Sequence, residues 1–268
     1  NVNNMEIVQG ITEWLPVSST GHMILVDEFV KMNVSETFWN MFLVVIQLGA
    51  ILAVCVLFFH ELNPFSPSKG KEGRRDTWVL WGKIVLGCIP AAAIGLPLND
   101  WMEEHFYNAP VVALALIVYG VLFIVIENWN KNRVPTTTTL SQLTYRDALI
   151  IGFCQLVAAA LPGTSRSGAT ILGAIMIGIS RTVAAEFTFF LAIPVMFGAS
   201  LLKVLKFGFA FTGMELACLL VGTVVSFIVS LFVLRFLMGY IKKHDFKVFG
   251  WYRIVLGIIV LLYFLVFA

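Results

Sequence analysis

Twice in this chain an apolar stretch of membrane-entering character is broken by a proline followed by hydroxyl residues: LPVSSTGH at 15–22 and LPGTSRSGAT at 161–170. Irregular backbone at membrane depth is tolerated only where it is buried in protein or lines a wet cavity, because hydrocarbon offers no partner to free N–H and C=O groups. The fold therefore has to pack both breaks against protein, and the economical solution packs them against each other across a polar pocket. Membrane depth itself follows from composition: of 268 residues 59% are hydrophobic and 13% charged, where a soluble domain carries about 45–50% and about 25%.

Six further stretches, at about 38–59, 77–97, 109–128, 184–205, 213–238 and 250–268, are apolar over the roughly 20 residues that cross a hydrocarbon core. Basic residues gather in the connections at 60–76 (Lys69, Lys71, Arg74, Arg75), 129–146 (Lys131, Arg133, Arg146) and 235–249 (Arg235, Lys242, Lys243, Lys247), while 98–108 has Asp100, Glu103 and Glu104 and no Lys or Arg. Lys and Arg mark the cytoplasmic side. These loops share that side if the six clear stretches cross and the two broken ones do not. The expected fold class is thus an all-α polytopic membrane protein, with six transmembrane helices plus two re-entrant helix-loop-helix hairpins, at about 5–31 and 147–180. Lys31, Lys203 and Lys206 then fall at or near the outer face. The net charge of +2 says little about partners, and with no basic tail or aromatic-interleaved basic patch no nucleic-acid partner is expected. Cys55, Cys88, Cys154 and Cys218 lie singly in apolar segments and read as small hydrophobes.

The broken segments match each other at an offset of 146. Gln9 meets Gln155, Leu15-Pro16 meets Leu161-Pro162, and Ser19 meets Ser165. At an offset of 149, Gly49-Ala50 meets Gly198-Ala199, and WGKIVLG at 81–87 resembles WYRIVLG at 251–257. With the opposite orientations that the loop charges imply, this predicts one membrane domain over 1–268. It would be built as an inverted-topology repeat, its halves about 5–128 and 147–268, joined by a polar linker about 129–146. In that architecture broken helices build a site near the midplane.

Ser and Thr after each proline suit N-cap positions. The exposed N–H groups and dipole of the half-helix that follows favour an anion, and Arg166 adds a planar fork suited to phosphate oxygens. Glu13, four residues after Gln9, projects from the same helix face. A carboxylate beside an amide oxygen can hold a hard divalent cation such as Mg2+ or Ca2+. His22, three residues after Ser19, can serve as that serine's general base or as a nucleophile itself. Glu127, Arg181 and Glu186 sit at span ends and read as structural, and His60, His105 and His244 as solvated loop residues. Two functional classes fit: a phosphatase acting on a membrane-borne diphosphate, or a transporter or flippase for a phosphorylated lipid or small anion. A transporter needs the anion site but not the carboxylate and histidine beside it.

At these residues the sequence resembles the undecaprenyl-diphosphate phosphatase family, the bacitracin-resistance type. Gln9-x-x-x-Glu13 running into Leu15–His22 resembles its first motif, and Pro162-Gly-x-Ser-Arg-Ser-x-x-Thr170 its second. The resemblance implies hydrolysis of undecaprenyl diphosphate to the monophosphate and inorganic phosphate, recycling the lipid carrier for cell-wall glycan synthesis and conferring bacitracin resistance. It implies dependence on a divalent cation, a bacterial plasma-membrane location and an active site open to the outer face. Carried over by motif, the catalytic residues are Glu13, Ser19, His22 and Arg166. The substrate-binding ones are Gly163, Ser165, Arg166, Ser167 and Thr170, and the metal-binding ones Gln9 and Glu13. Partners are the lipid substrate and the bilayer, and a homodimer is compatible with such a chain.

Overall fold

The computed structural model describes residues 2–29 and 35–267, so Lys31 lies outside the described residues. Thirteen α-helices follow one another: α1 (Val2–Thr12), α2 (Ser19–Phe29), α3 (Glu36–Val45), α4 (Gln47–Leu57), α5 (Phe59–Leu62), α6 (Lys71–Pro90), α7 (Leu96–Phe106), α8 (Ala109–Asn130), α9 (Tyr145–Ala160), α10 (Arg166–Met176), α11 (Arg181–Phe207), α12 (Gly213–Ile241) and α13 (Lys247–Phe267). Among the described residues there is no strand, only an isolated bridge between Thr137 and Ile179. A π-helical turn, Ala91–Gly95, links α6 to α7 directly after Pro90. Proline cannot donate to the helical ladder, and the wider turn lets the helix run on past it.

Among the described residues, five helical stretches have the length and apolar character to cross a membrane: Lys71–Met102, Ala109–Asn130, Arg181–Phe207, Gly213–Ile241 and Lys247–Val266. The protein is therefore a multi-pass helical membrane protein. The stretch expected to cross at about 38–59 is divided instead into α3 and α4 at Ile46, with only Met41–Leu57 counted as a shorter apolar helix. At this break the Leu43 carbonyl accepts from Gln9 Nε2 at 2.9 Å and the Val44 carbonyl from Ser200 Oγ at 3.0 Å. Neither proline nor glycine marks the interruption, which is why periodicity alone passes over it.

The core gathers Trp14, Phe58, Phe123, Phe187, Phe189, Phe190 and Phe246. Trp14 meets Phe189 edge-on at 5.4 Å, and so anchors the chain just after Glu13. Helices α6 and α9 touch backbone to backbone: a Cβ on Gly152 would lie 2.4 Å from the carbonyl oxygen of Gly87. Small residues permit this approach where apolar surroundings provide no hydrophobic drive between helices. Glu127, 1% exposed, takes three bonds from Arg181 and a fourth from the backbone N–H of Phe246 at 3.2 Å. Arg181 is thus paired with Glu127 on α8 rather than with Glu186 on its own helix, and the pair pins α8, α11 and the entry to α13.

Candidate active site

Both sequence breaks become helix breaks. After α1 the chain turns through residues 13–17, and α2 begins at Ser19. After α9 it turns through 161–164, and α10 begins at Arg166. A serine caps each second half-helix. Ser18 Oγ accepts from Gly21 N at 3.3 Å and Ser165 Oγ from Gly168 N at 3.2 Å. Both caps carry φ = +68°, the only positive φ outside glycine among the described residues. A side chain held in that region costs roughly 1–3 kcal/mol and persists only where surrounding contacts fix it. The structural equivalence is therefore Ser18 with Ser165, an offset of 147, and not Ser19 with Ser165. Between proline and cap the second break holds one residue more, Gly163-Thr164 against Val17 alone, and Gly163, at φ = +91°, is placed where a left-handed backbone is needed.

One side chain fastens the two turns together. Arg253, fully buried in α13, donates from Nη1 to the Pro16 carbonyl (3.2 Å) and from Nη2 to those of Gly163 (2.9 Å) and Thr164 (2.7 Å). Its guanidinium lies 5.6 Å from the ring of Tyr119 and 5.9 Å from that of Phe123. Ser167 adds a second link: its hydroxyl donates to the Leu15 carbonyl at 3.3 Å and receives from Ser165 Oγ at 3.0 Å. That direction follows because a carbonyl can only accept. The third link is ionic, Arg166 Nη2 to Glu13 Oε1 at 3.3 Å, with side chains 15% and 9% exposed.

Of the residues read from sequence, Glu13, Ser165, Arg166, Ser167 and Gly163 thus meet at the junction of the two breaks. Arg166 Nη1 remains buried without a partner, a free charged donor on the first residue of α10 and on the guanidinium that pairs with Glu13. Gln9 and Ser19 line an adjoining cavity of about 670 Å³ with Thr20, Gln47 and Lys203. A smaller one of about 160 Å³ shares Thr20, Asn99 and Tyr107 with it and reaches Pro162. Thr170 stands apart: fully buried, it donates to the Arg166 carbonyl at 2.8 Å and receives from Thr188 at 2.9 Å. It braces the first turn of α10 rather than facing the cavity.

His22 is held at both nitrogens. Nδ1 lies 2.7 Å from the Ser18 carbonyl and Nε2 lies 2.6 Å from the Tyr252 hydroxyl, with the rings stacked at 5.5 Å. The carbonyl requires the proton on Nδ1, so in the neutral ring Nε2 is the acceptor and Tyr252 the donor. The serine beside His22 in sequence, Ser19, does not supply its fixed contact; Ser18 does, through its backbone.

Tyr252 and Arg253 were not found by sequence reasoning, although a charged residue inside an apolar span is a signal by itself. Glu6 was also passed over. The described residues bring no three His, Cys, Asp or Glu side chains together as a metal site, so a cation at Gln9 and Glu13 needs further oxygens. Gln9 Oε1 is buried and unpartnered while its amide nitrogen is engaged. One carboxylate and one amide oxygen a turn apart are hard donors that fit Mg2+ or Ca2+ as a partial shell, to be completed by phosphate oxygens or water.

Residues 4–259 match the family described as bacitracin resistance protein BacA. The chain belongs to this family. It is 64% identical over 258 residues to an undecaprenyl-diphosphatase of Desulfitobacterium hafniense, covering 96% of this chain and 93% of that one. It is 59% identical over 260 residues to undecaprenyl-diphosphatase 1 of Clostridium acetobutylicum, covering 97% and 95%. To an undecaprenyl-diphosphatase of Enterococcus faecalis it is 58% identical over 262 residues, again covering 97% and 95%. The family match runs across both breaks and the helices that carry Tyr252 and Arg253.

Proposed function

We propose that the protein hydrolyses undecaprenyl diphosphate to undecaprenyl phosphate and inorganic phosphate at the junction of its two helix breaks. It thereby recycles the lipid carrier for cell-wall glycan synthesis and confers resistance to bacitracin. The observation that carries this reading is the buried, unpartnered Nη1 of Arg166, on the first residue of the serine-capped α10 and on the guanidinium that pairs with Glu13. A buried donor without a partner is costly unless a ligand satisfies it. A phosphoryl group, with charge spread over its oxygens, suits a guanidinium and helix N–H groups together.

In this reading Arg166 and the N–H groups of α2 and α10 hold the diphosphate and stabilise charge developing as the P–O–P bond breaks. Gly163, Ser165 and Ser167 shape that cradle, with Thr170 supporting it from behind. His22 presents Nε2 as the proton acceptor, its tautomer fixed by the Ser18 carbonyl. Ser19 lies on the cavity wall and, with His22, supplies the nucleophile and its base. Glu13, paired with Arg166, keeps the guanidinium in place and, with Gln9, would hold a divalent cation. When bound, that cation would neutralise phosphate charge.

The finer topology belongs to the same proposal. Six crossings, the divided α3–α4 among them, and two re-entrant hairpins of opposite orientation would form an inverted repeat in the bacterial plasma membrane, with the site open to the outer face. Paired packing supports it: α1 lies on α12 as α9 lies on α6, and α8 packs against α13. The test is phosphate release from undecaprenyl diphosphate by purified protein, with and without chelator, alongside Glu13→Gln. That variant keeps the shape and removes the charge, and it is expected to retain diphosphate binding while losing hydrolysis. Binding without release by the wild-type protein under every cation condition would instead identify a carrier of phosphorylated lipid.

A further inference from the structure

Away from the junction, the seam between α1 and α12 contains a carboxylate that nothing so far employs. Glu6 is fully buried, and neither Oε1 nor Oε2 has a hydrogen-bond partner. It lies against Gly222: a Cβ there would come within 2.6 Å of Glu6 Oε1, so the absence of a side chain makes the space in which the carboxylate sits. One turn further along α1, a Cβ on Gly10 would meet the Val229 side chain at 3.0 Å and the Ser226 carbonyl at 3.6 Å. The two helices thus run side by side, with Ser226 one turn beyond Gly222 on the face that meets α1. Ser226 Oγ is likewise buried and unpartnered, at 1% exposure. Helical side chains lean toward the N-terminus of their own helix, which turns this hydroxyl back toward the level of Glu6. Gln9 follows Glu6 by three residues on the same face of α1 and lines the large cavity, one helical turn from the seam.

A buried carboxylate with no partner costs several kcal/mol, and an isolated hydroxyl beside it adds to that. A single positive charge removes both costs. The neighbouring donors are all hard oxygens, which select an alkali or alkaline-earth ion over a soft metal. One carboxylate balances one charge, and a divalent ion here would leave a net charge in an apolar seam. We propose that Glu6 and Ser226 bind a small monovalent cation, of which Na+ is the representative, between α1 and α12. This site is separate from the divalent cation discussed for Gln9 and Glu13 and does not depend on the hydrolytic reading.

The test measures the unfolding midpoint of the purified protein in detergent, titrating NaCl against choline chloride at constant ionic strength, together with binding of radiolabelled Na+. The wild-type protein is expected to show a saturable rise in Tm with Na+, weaker with K+, and to retain one labelled ion per chain. Glu6→Gln keeps the size of the side chain and removes the charge, and is expected to abolish both signals. Ser226→Ala is expected to fold unaltered and to weaken Na+ binding several-fold, so the site remains testable even if Glu6→Gln does not fold. Glu13→Gln should retain both signals. A Tm unresponsive to Na+, as for a Glu6 that simply carries a proton, would overturn the proposal. So would a Na+ response unchanged in Ser226→Ala or Glu6→Gln, or a response confined to Mg2+ or Ca2+.

Discussion

Arg253→Lys separates charge from geometry at the point where the two breaks are tied. The guanidinium serves them with different nitrogens: Nη1 holds Pro16, and Nη2 holds Gly163 and Thr164. A lysine ammonium is one point on a flexible stem and cannot occupy both positions. At least one break therefore loses its charge-assisted bond, worth about 1.5–3 kcal/mol, and a buried carbonyl is left unsatisfied at a further cost of about 1–3 kcal/mol. Taking about 3 kcal/mol as the loss of coupling, the aligned arrangement becomes about a hundredfold rarer at 1.36 kcal/mol per decade. Turnover in a phosphate-release assay should fall by up to that factor. The helical circular dichroism should be unchanged, because the six turns of α13 and its packing on α8 do not depend on this side chain. Gly168→Ala disturbs the same contact from the other side with Arg253 intact, since the new Cβ would stand 2.8 Å from Nη1. It should lower turnover in the same direction. Wild-type turnover in both variants would refute the idea that the arginine sets the junction.

Arg166→Lys keeps the charge but not the fork; phosphate release should drop about a hundredfold, one transition-state contact of about 3 kcal/mol, with Tm little altered. Tyr252→Phe deletes the hydroxyl that meets His22 Nε2 while the ring stack remains. Turnover should fall about tenfold, the loss of one hydrogen bond of about 1.4 kcal/mol, and a normal rate would remove Tyr252 from the placement of His22. Glu127→Gln strips the charge from the buried pair with Arg181 and leaves the guanidinium uncompensated. Arg181 is one-third exposed and keeps part of its solvation, so a stability loss of about 1.5–3 kcal/mol is expected, read as a lowered Tm in detergent with catalysis preserved in the molecules that remain folded.

What the sequence disclosed and what it withheld divide along a physical line. Proline followed by serine at both breaks is local information, because ring sterics stop one helix and a hydroxyl caps the next. The turns and the hydroxyl caps were therefore legible from short strings, and the repeat set the two breaks facing each other, but the pairing of Glu13 with Arg166 across 153 residues was not. The one-residue difference between the turns was not, since Ser18 and Ser19 are chemically identical and only the backbone chooses between them. The division at Ile46 was invisible because no residue there opposes helix formation; tertiary bonds from Gln9 and Ser200 accompany it. Arg253, Tyr252 and Glu6 share another cause. What each packs against lies on an element far away in the chain: α12 for Glu6, α2 for Tyr252, the two turns for Arg253. Apolar periodicity marks which face of a helix is buried but not which distant element it will meet, so their roles emerge only in three dimensions.

The bond from Arg253 to the Pro16 carbonyl spans 237 residues, and that separation sets a clock. A ribosome adding about 5–20 residues per second needs roughly 10–50 s to cover the interval. The links from Arg166 to Glu13 and from Ser167 to the Leu15 carbonyl span 153 and 152 residues and come within reach earlier. The tie through Arg253 must wait for α13. Closure of the junction is then a late step in biogenesis, and truncation before Arg253 should leave a chain that inserts with its two breaks less firmly joined and more exposed to quality-control proteolysis.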